Sequence, residues 1–167
     1  MHINNQALLR STVFFGGKWI AADDGATFAV RDPAGGSLLA EVANCGAAET
    51  RRAIAAADEA LPSWRTLPAK QRSQMLQRWF ALINANADDL AQLITAEGGK
   101  PLAEAKGEVA YGASFVEWFA EEGKRTYGET IPATVADKRL VVVKQPIGVC
   151  AAITPWNFPL AMITRKV

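Results

Sequence analysis

Cysteine and histidine are almost absent from this chain. Cys45 and Cys150 are its two thiols and His2 its one imidazole, among 167 residues. Two thiols cannot build a disulfide framework. A single histidine excludes a histidine-based triad or zinc motif within the chain. An excess of one charge is lacking as well, since 18 Lys and Arg face 17 Asp and Glu for a formal net charge of +1. No basic field is available for nucleic acid or for an anionic membrane surface. No apolar run approaches the roughly 20 residues of a membrane span. The opening Met1-His2-Ile3-Asn4-Asn5-Gln6 has neither an apolar signal core nor arginine-rich transit character. A cytoplasmic, reducing compartment is the expectation.

What is present is a globular composition, 50% hydrophobic and 21% charged, which excludes disorder of the whole chain. The length suits one domain or a little more, enough to remove about two-thirds of the unfolded surface on folding. Phe14 to Ile20 and Thr27 to Arg31 read as short strands on either side of the turn dipeptide Asp24-Gly25. Asp32-Pro33-Ala34-Gly35-Gly36 is a second turn, followed by the apolar stretch Leu38 to Val42. The period then changes. Ile54, Ala57, Leu61 and Trp64 recur at helical spacing, opened by Gly46 with Glu49 three places on, and Pro62 bends or ends that helix.

A second helix follows Pro68 with Met75, Trp79, Leu82 and Ile83 on one face. Asn84 and Asn86 interrupt the pattern before Leu90, Leu93 and Ile94 resume it. Gly98-Gly99-Lys100-Pro101 breaks the chain, and the longest helix comes next. Its stripe is Leu102, Ala105, Val109, Gly112, Val116 and Phe119, with Glu104, Glu108, Glu117 and Glu121 mostly off it. Gly123 and Gly128 end it. Leu140-Val141-Val142-Val143 suits a strand. Gly148-Val149-Cys150-Ala151-Ala152-Ile153 is apolar without alternation, as expected of a strand buried on both faces in a parallel sheet.

That run leads into Thr154-Pro155-Trp156-Asn157-Phe158-Pro159 and then the helix-like Leu160-Ala161-Met162-Ile163. Ligands bind at the carboxyl ends of parallel strands, so the strand-to-helix crossing is the candidate site. Spacing leaves two readings open. In one, a rigid loop presents the Asn157 amide and backbone groups to a ligand. In the other, Asn157 caps the helix while Trp156 and Phe158 pack.

Thr154 to Pro159 resembles the signature of the aldehyde dehydrogenase superfamily, which follows the first strand of that family's dinucleotide-binding fold. Glu97-Gly98-Gly99-Lys100-Pro101, Tyr127-Gly128-Glu129-Thr130-Ile131-Pro132 and Gln145-Pro146-Ile147-Gly148-Val149 are similar to further landmarks, in the family's order. The stretches Pro101 to Lys106, Glu117 to Arg125 and Ala161 to Lys166 resemble succinate-semialdehyde dehydrogenases in particular. The resemblance implies an α/β fold: short antiparallel strands, a helical group, a β-ribbon and the first strand of a Rossmann-like sheet. Residues 1–137 then form the N-terminal part of the cofactor-binding domain, 138–146 the start of an oligomerisation ribbon, and 147–167 the first sheet strand and a truncated helix.

The chemistry implied is oxidation of an aldehyde by NAD or NADP through a cysteine thioester that a glutamate-activated water hydrolyses. Asn157 matches the family's oxyanion-stabilising asparagine. Ile153, Thr154, Pro155 and Trp156 match the segment beside the nicotinamide. Arg165 matches the arginine that binds the substrate carboxylate in the succinate-semialdehyde members. Phe158 and Met162, one turn apart, either line the aldehyde channel or belong to the core. Neither Cys45 nor Cys150 has the context of the family nucleophile, and Ala96-Glu97-Gly98-Gly99 belongs to the Gly-Lys-Pro landmark rather than to the general base. No metal is implied. The expectation is therefore the N-terminal portion of an enzyme that works as a homo-oligomer on a small aldehyde, with the portion alone inactive.

Overall fold

Two adjacent glycines divide the first expected strand. In the computed structural model, which describes residues 2–167, Gly16 and Gly17 have φ of 56° and 75°. They turn β1 (Val13–Phe15) back onto β2 (Lys18–Ile20). Two consecutive positive φ values give the hairpin turn whose twist matches its strands, and glycine takes them without a Cβ clash. Phe14 to Ile20 is thus a hairpin and not one strand. β3 (Thr27–Arg31) pairs antiparallel with β4 (Leu38–Ala43) around the Asp32–Gly36 turn. Further along, β5 (Glu129–Ile131) pairs antiparallel with β6 (Leu140–Val142).

The helices lie where the apolar period places them, but the expected faces of the first two are only partly covered: Ile54, Trp64, Met75 and Leu82 are exposed. The helices are α1 (Ala47–Thr66), α2 (Ala69–Ala85), α3 (Ala87–Gly98), α4 (Leu102–Glu122) and the short α5 (Ala161–Thr164). Glu49 opens α1 as expected: its carboxylate accepts from the Gly46 N–H at 3.0 Å and the Asp23 N–H at 2.8 Å. Those bonds hold its carboxyl below the ordinary value. Pro62 lies in the last turns of α1 and does not end it. Gly99, at φ 71°, closes α3 in the left-handed region.

The core is where α2 and α3 pack on α4. Ile83, Ala91, Ile94, Ala105, Val109, Ala113 and Val116 are buried together. Small residues on α4 let its neighbours approach closely, and Leu102 and Phe119 at the ends of the stripe stay exposed. The N-terminal segment is fastened to this core chiefly by Asp89, with Gln92 and Asn86 also accepting from His2 and Asn5. Asp89, 4% exposed on α3, accepts from the backbone N–H of Asn4 at 3.0 Å and of Asn5 at 2.8 Å.

Those bonds lower the Asp89 carboxyl from its ordinary value near 3.8. A carboxylate depressed on folding stabilises the fold at pH values above its unfolded pKa, and that contribution is lost as pH falls through the native one. Amide exchange at Asn4 and Asn5 is therefore expected to stay protected at neutral pH and to lose protection only as pH falls below the ordinary carboxylate range. Protection unchanged in Asp89→Ala at neutral pH would exclude the Asp89 fastening.

The accessible surface is 11658 Å², whereas a folded monomer of 17.9 kDa has about 8,000 Å² by the area–mass relation. β6 and the segment after it hold several of the most exposed apolar side chains. Val141, Val143, Ile147 and Ile153 are 68%, 66%, 94% and 99% exposed. Residues 148–153 do not form the buried strand that their apolar run suggests. They run without a hydrogen-bonded neighbour, and Cys150 is exposed rather than buried. A parallel strand acquires its ladder and both its covered faces from other segments, and no described strand pairs with this one. No described helix is long and apolar enough to cross a membrane.

Candidate active site at the strand-to-helix crossing

A buried carboxylate on α4 secures the crossing. Glu108 has a side chain only 1% exposed, where an unpartnered charge is costly. One of its oxygens pairs with the Lys100 ammonium. The other accepts from the Leu160 N–H at 2.9 Å and, more weakly, from the Ala161 N–H at 3.4 Å. These are free donors at the start of α5, where the N-cap residue Leu160 supplies no side-chain cap. The cap is therefore supplied from another helix.

Lys100 comes from the turn between α3 and α4. Besides Glu108, its Nζ donates to the Asn157 carbonyl at 2.9 Å and lies 3.9 Å from the centre of the Phe158 ring. Gly112, one turn beyond Glu108, lets α5 sit against α4. A Cβ there would overlap Leu160 Cδ2 and lie 3.3 Å from both the Ala161 Cα and the Thr164 Oγ1.

This docking decides which way α5 faces. Its turn starts at Phe158, whose carbonyl accepts from the Met162 N–H at 3.0 Å. Ala161 and Thr164 are buried against α4, at 0% and 3% exposed. Phe158, Met162 and Arg165 follow at intervals of four and three, and the buried Ala161 stands three places after Phe158 and four before Arg165, so they flank the contact with α4. Phe158 and Arg165 are exposed and Met162 is half-buried. No carboxylate among the described residues pairs with Arg165.

Asn157 directly precedes that face. Its side chain is exposed and takes no part in capping α5, which Glu108 does. Of the two readings that spacing left open, the cap is thus excluded. Ile153 to Trp156 run extended and mostly exposed, with Trp156 at 83%. Their backbone groups have no partner among the described residues. Trp156 also walls an apolar groove of about 570 Å³ with Trp79, Leu90, Ile94, Glu97 and Ile163, and desolvation there raises the Glu97 carboxyl above its ordinary value. The half-buried Cys45 thiol is pushed up by burial and then by Glu49 and Asp23. That is the opposite of an activated thiolate.

Sequence reasoning missed Lys100 and Glu108, although one signal was available. Glu108 follows Ala105 by three and precedes Gly112 by four. It therefore belongs on the buried side of α4, where a carboxylate must have partners.

The aldehyde dehydrogenase family model matches residues 19–167. The chain belongs to the aldehyde dehydrogenase family. Over 166 residues the chain is 61% identical to the glutarate-semialdehyde dehydrogenase of Pseudomonas putida, covering 99% of this chain and 35% of that one. It is 59% identical over 166 residues to the NADP(+) succinate-semialdehyde dehydrogenase GabD of Escherichia coli, covering 99% of this chain and 34% of the relative. The crystal structure of succinate-semialdehyde dehydrogenase from Burkholderia pseudomallei superposes with a TM-score of 0.97 at 62% identity, over 98% of this chain and 34% of that one. The chain spans about a third of the length of the relatives it matches. The aldehyde dehydrogenase fold, with its short antiparallel strands and packed helices, is therefore present here, and the exposed course of 147–153 is part of its path.

Proposed function

We propose that this chain supplies the oxyanion-binding and carboxylate-binding segment of an NAD(P)-dependent dehydrogenase that oxidises succinate semialdehyde to succinate. The observation that carries the reading is the order of groups along residues 157–165. An exposed amide at Asn157 is followed by an aromatic ring, a half-buried thioether and a guanidinium with no carboxylate partner among the described residues. A short semialdehyde has the same order of groups: a carbonyl, a few methylenes and a carboxylate. Arg165 directly follows α5, and side chains on a helix lean toward its N-terminus, the end at which Asn157 lies. Close likeness to dehydrogenases named for succinate and glutarate semialdehydes supports the substrate class.

Each residue has a definite task in this reading. The Asn157 amide donates to the aldehyde oxygen as negative charge develops on it, and a neutral donor does so without repelling the charge. Arg165 grips the carboxylate with two parallel N–H bonds and sets which end of the substrate enters first. Phe158 and Met162 cover the methylenes. The exposed, unpartnered backbone of Ile153, Thr154 and Trp156 offers donors and acceptors that fit a carboxamide, with Pro155 holding the segment extended. NAD(P) bound there serves as acceptor of the hydride from the aldehyde carbon. Neither thiol of this chain has the setting of a nucleophile, so the chain by itself is inactive. The exposed β5–β6 hairpin fits assembly into a homo-oligomer.

The test uses this chain fused to the C-terminal two-thirds of the Pseudomonas putida relative. Losing charged, bidentate hydrogen bonds costs about 1.5–3 kcal/mol. Arg165→Ala is therefore expected to raise KM for succinate semialdehyde by roughly 10- to 100-fold and to leave butanal kinetics unchanged. Equal losses on both aldehydes would remove Arg165 from carboxylate recognition.

A further inference from the structure

We propose that Lys100 and Glu108 are positioning residues, an ion pair that sets where the Asn157 amide points. The inference rests on the oxyanion role of Asn157 given above. The pair is built into the fold between α3, α4 and α5, with side chains 16% and 1% exposed. Each member holds a different part of the crossing. Lys100 takes the carbonyl of Asn157 itself and the face of the next ring, Phe158. Glu108 takes the amides of Leu160 and Ala161. The peptide unit after Asn157 and the start of α5 are both fixed to α4, which leaves the Asn157 side chain little freedom but its own torsions.

An ion pair serves this purpose better than apolar packing. The ammonium has three donors, and here two are directed at specific acceptors while the ring covers a further side. The carboxylate accepts at both oxygens. Removing one charge leaves the other buried and unpaired, whereas removing both with apolar or neutral isosteres is often tolerated for stability. Stability and positioning can therefore be separated. The double variant Lys100→Met/Glu108→Gln restores a neutral interior, yet it no longer has a donor for the Asn157 carbonyl.

The experiment is a kinetic cycle in the fused full-length enzyme with succinate semialdehyde and saturating NAD(P). Displacing a reacting or stabilising group by about 1 Å costs up to 100-fold in rate. Lys100→Met is expected to lower kcat roughly 10- to 100-fold with KM within about twofold. The double variant should recover the wild-type melting temperature and keep the low kcat. In an Asn157→Ala background, Lys100→Met should cause no further loss, because it acts through an amide that is gone.

Full recovery of kcat in the double variant would overturn the proposal, since the pair would then be only structural. So would a loss from Lys100→Met of equal size with and without Asn157. A silent Asn157→Ala would be a separate failure: it would remove the oxyanion reading, and the positioning role along with it. A damaging Asn157→Ala beside a silent Lys100→Met would remove the positioning role alone.

Discussion

Replacing Asn157 with alanine in the fused full-length enzyme is expected to lower kcat by roughly 100- to 1,000-fold, with little change in KM. The loss corresponds to about 3–4 kcal/mol, the usual cost of removing one preorganised donor from an oxyanion. The bond strengthens as charge develops on the oxygen, so it acts on the transition state more than on the bound aldehyde. The structure makes the variant clean. The Asn157 side chain is exposed and caps nothing, while its backbone carbonyl keeps the bond from Lys100. Stability should change by no more than about 0.5 kcal/mol, as for other surface substitutions. Asn157→Asp should be no better than alanine, since a carboxylate repels the developing charge. Steady-state kinetics beside a melting curve reads both quantities. An alanine variant with wild-type kcat would take Asn157 out of the chemistry.

Gly112→Val carries the second large effect. Even a Cβ at this position overlaps Leu160 and crowds the Ala161 backbone, and valine adds two stiff methyl groups that a helix cannot rotate away. Overfilling a packed site usually costs about 1–3 kcal/mol. Here the strain has an outlet, because α5 is short and can lift from α4. Lifting would pull the Leu160 and Ala161 amides off Glu108 and carry Phe158, Met162 and Arg165 with them. The expected result is a lower denaturation midpoint together with a fall in kcat and a rise in KM, since donor and carboxylate site move as one unit. Gly112→Ala should show the same pattern more weakly, because Leu160 can change rotamer. A valine variant with unchanged midpoint and kinetics would show that α5 does not depend on this contact.

Much of the helical architecture was legible from apolar spacing. α2, α3 and α4 begin and end beside Pro68, Asn86, Gly99 and Pro101, where breakers and caps coincide with changes of period. Legibility failed where structure depends on partners. Gly16-Gly17 lies inside an apolar run, and only its two positive φ values reveal a hairpin. The run at 148–153 has the composition of a doubly covered strand, but coverage is a property of neighbours and no described strand pairs with it. The motif at 154–159 is what singles out this crossing in the sequence. What holds that crossing, the Lys100–Glu108 pair, joins residues 57 and 52 positions away from Asn157 and Leu160, beyond the reach of local periodicity.

The most direct measurement is NAD(P)H formation from succinate semialdehyde, made on the purified 167-residue chain and on the same chain fused to the C-terminal two-thirds of the Pseudomonas putida relative. The account predicts no turnover by the chain alone and steady turnover by the fusion, abolished to within a few per cent by Asn157→Ala. Turnover by the isolated chain, or a folded fusion that binds NAD(P) and oxidises no semialdehyde, would contradict it.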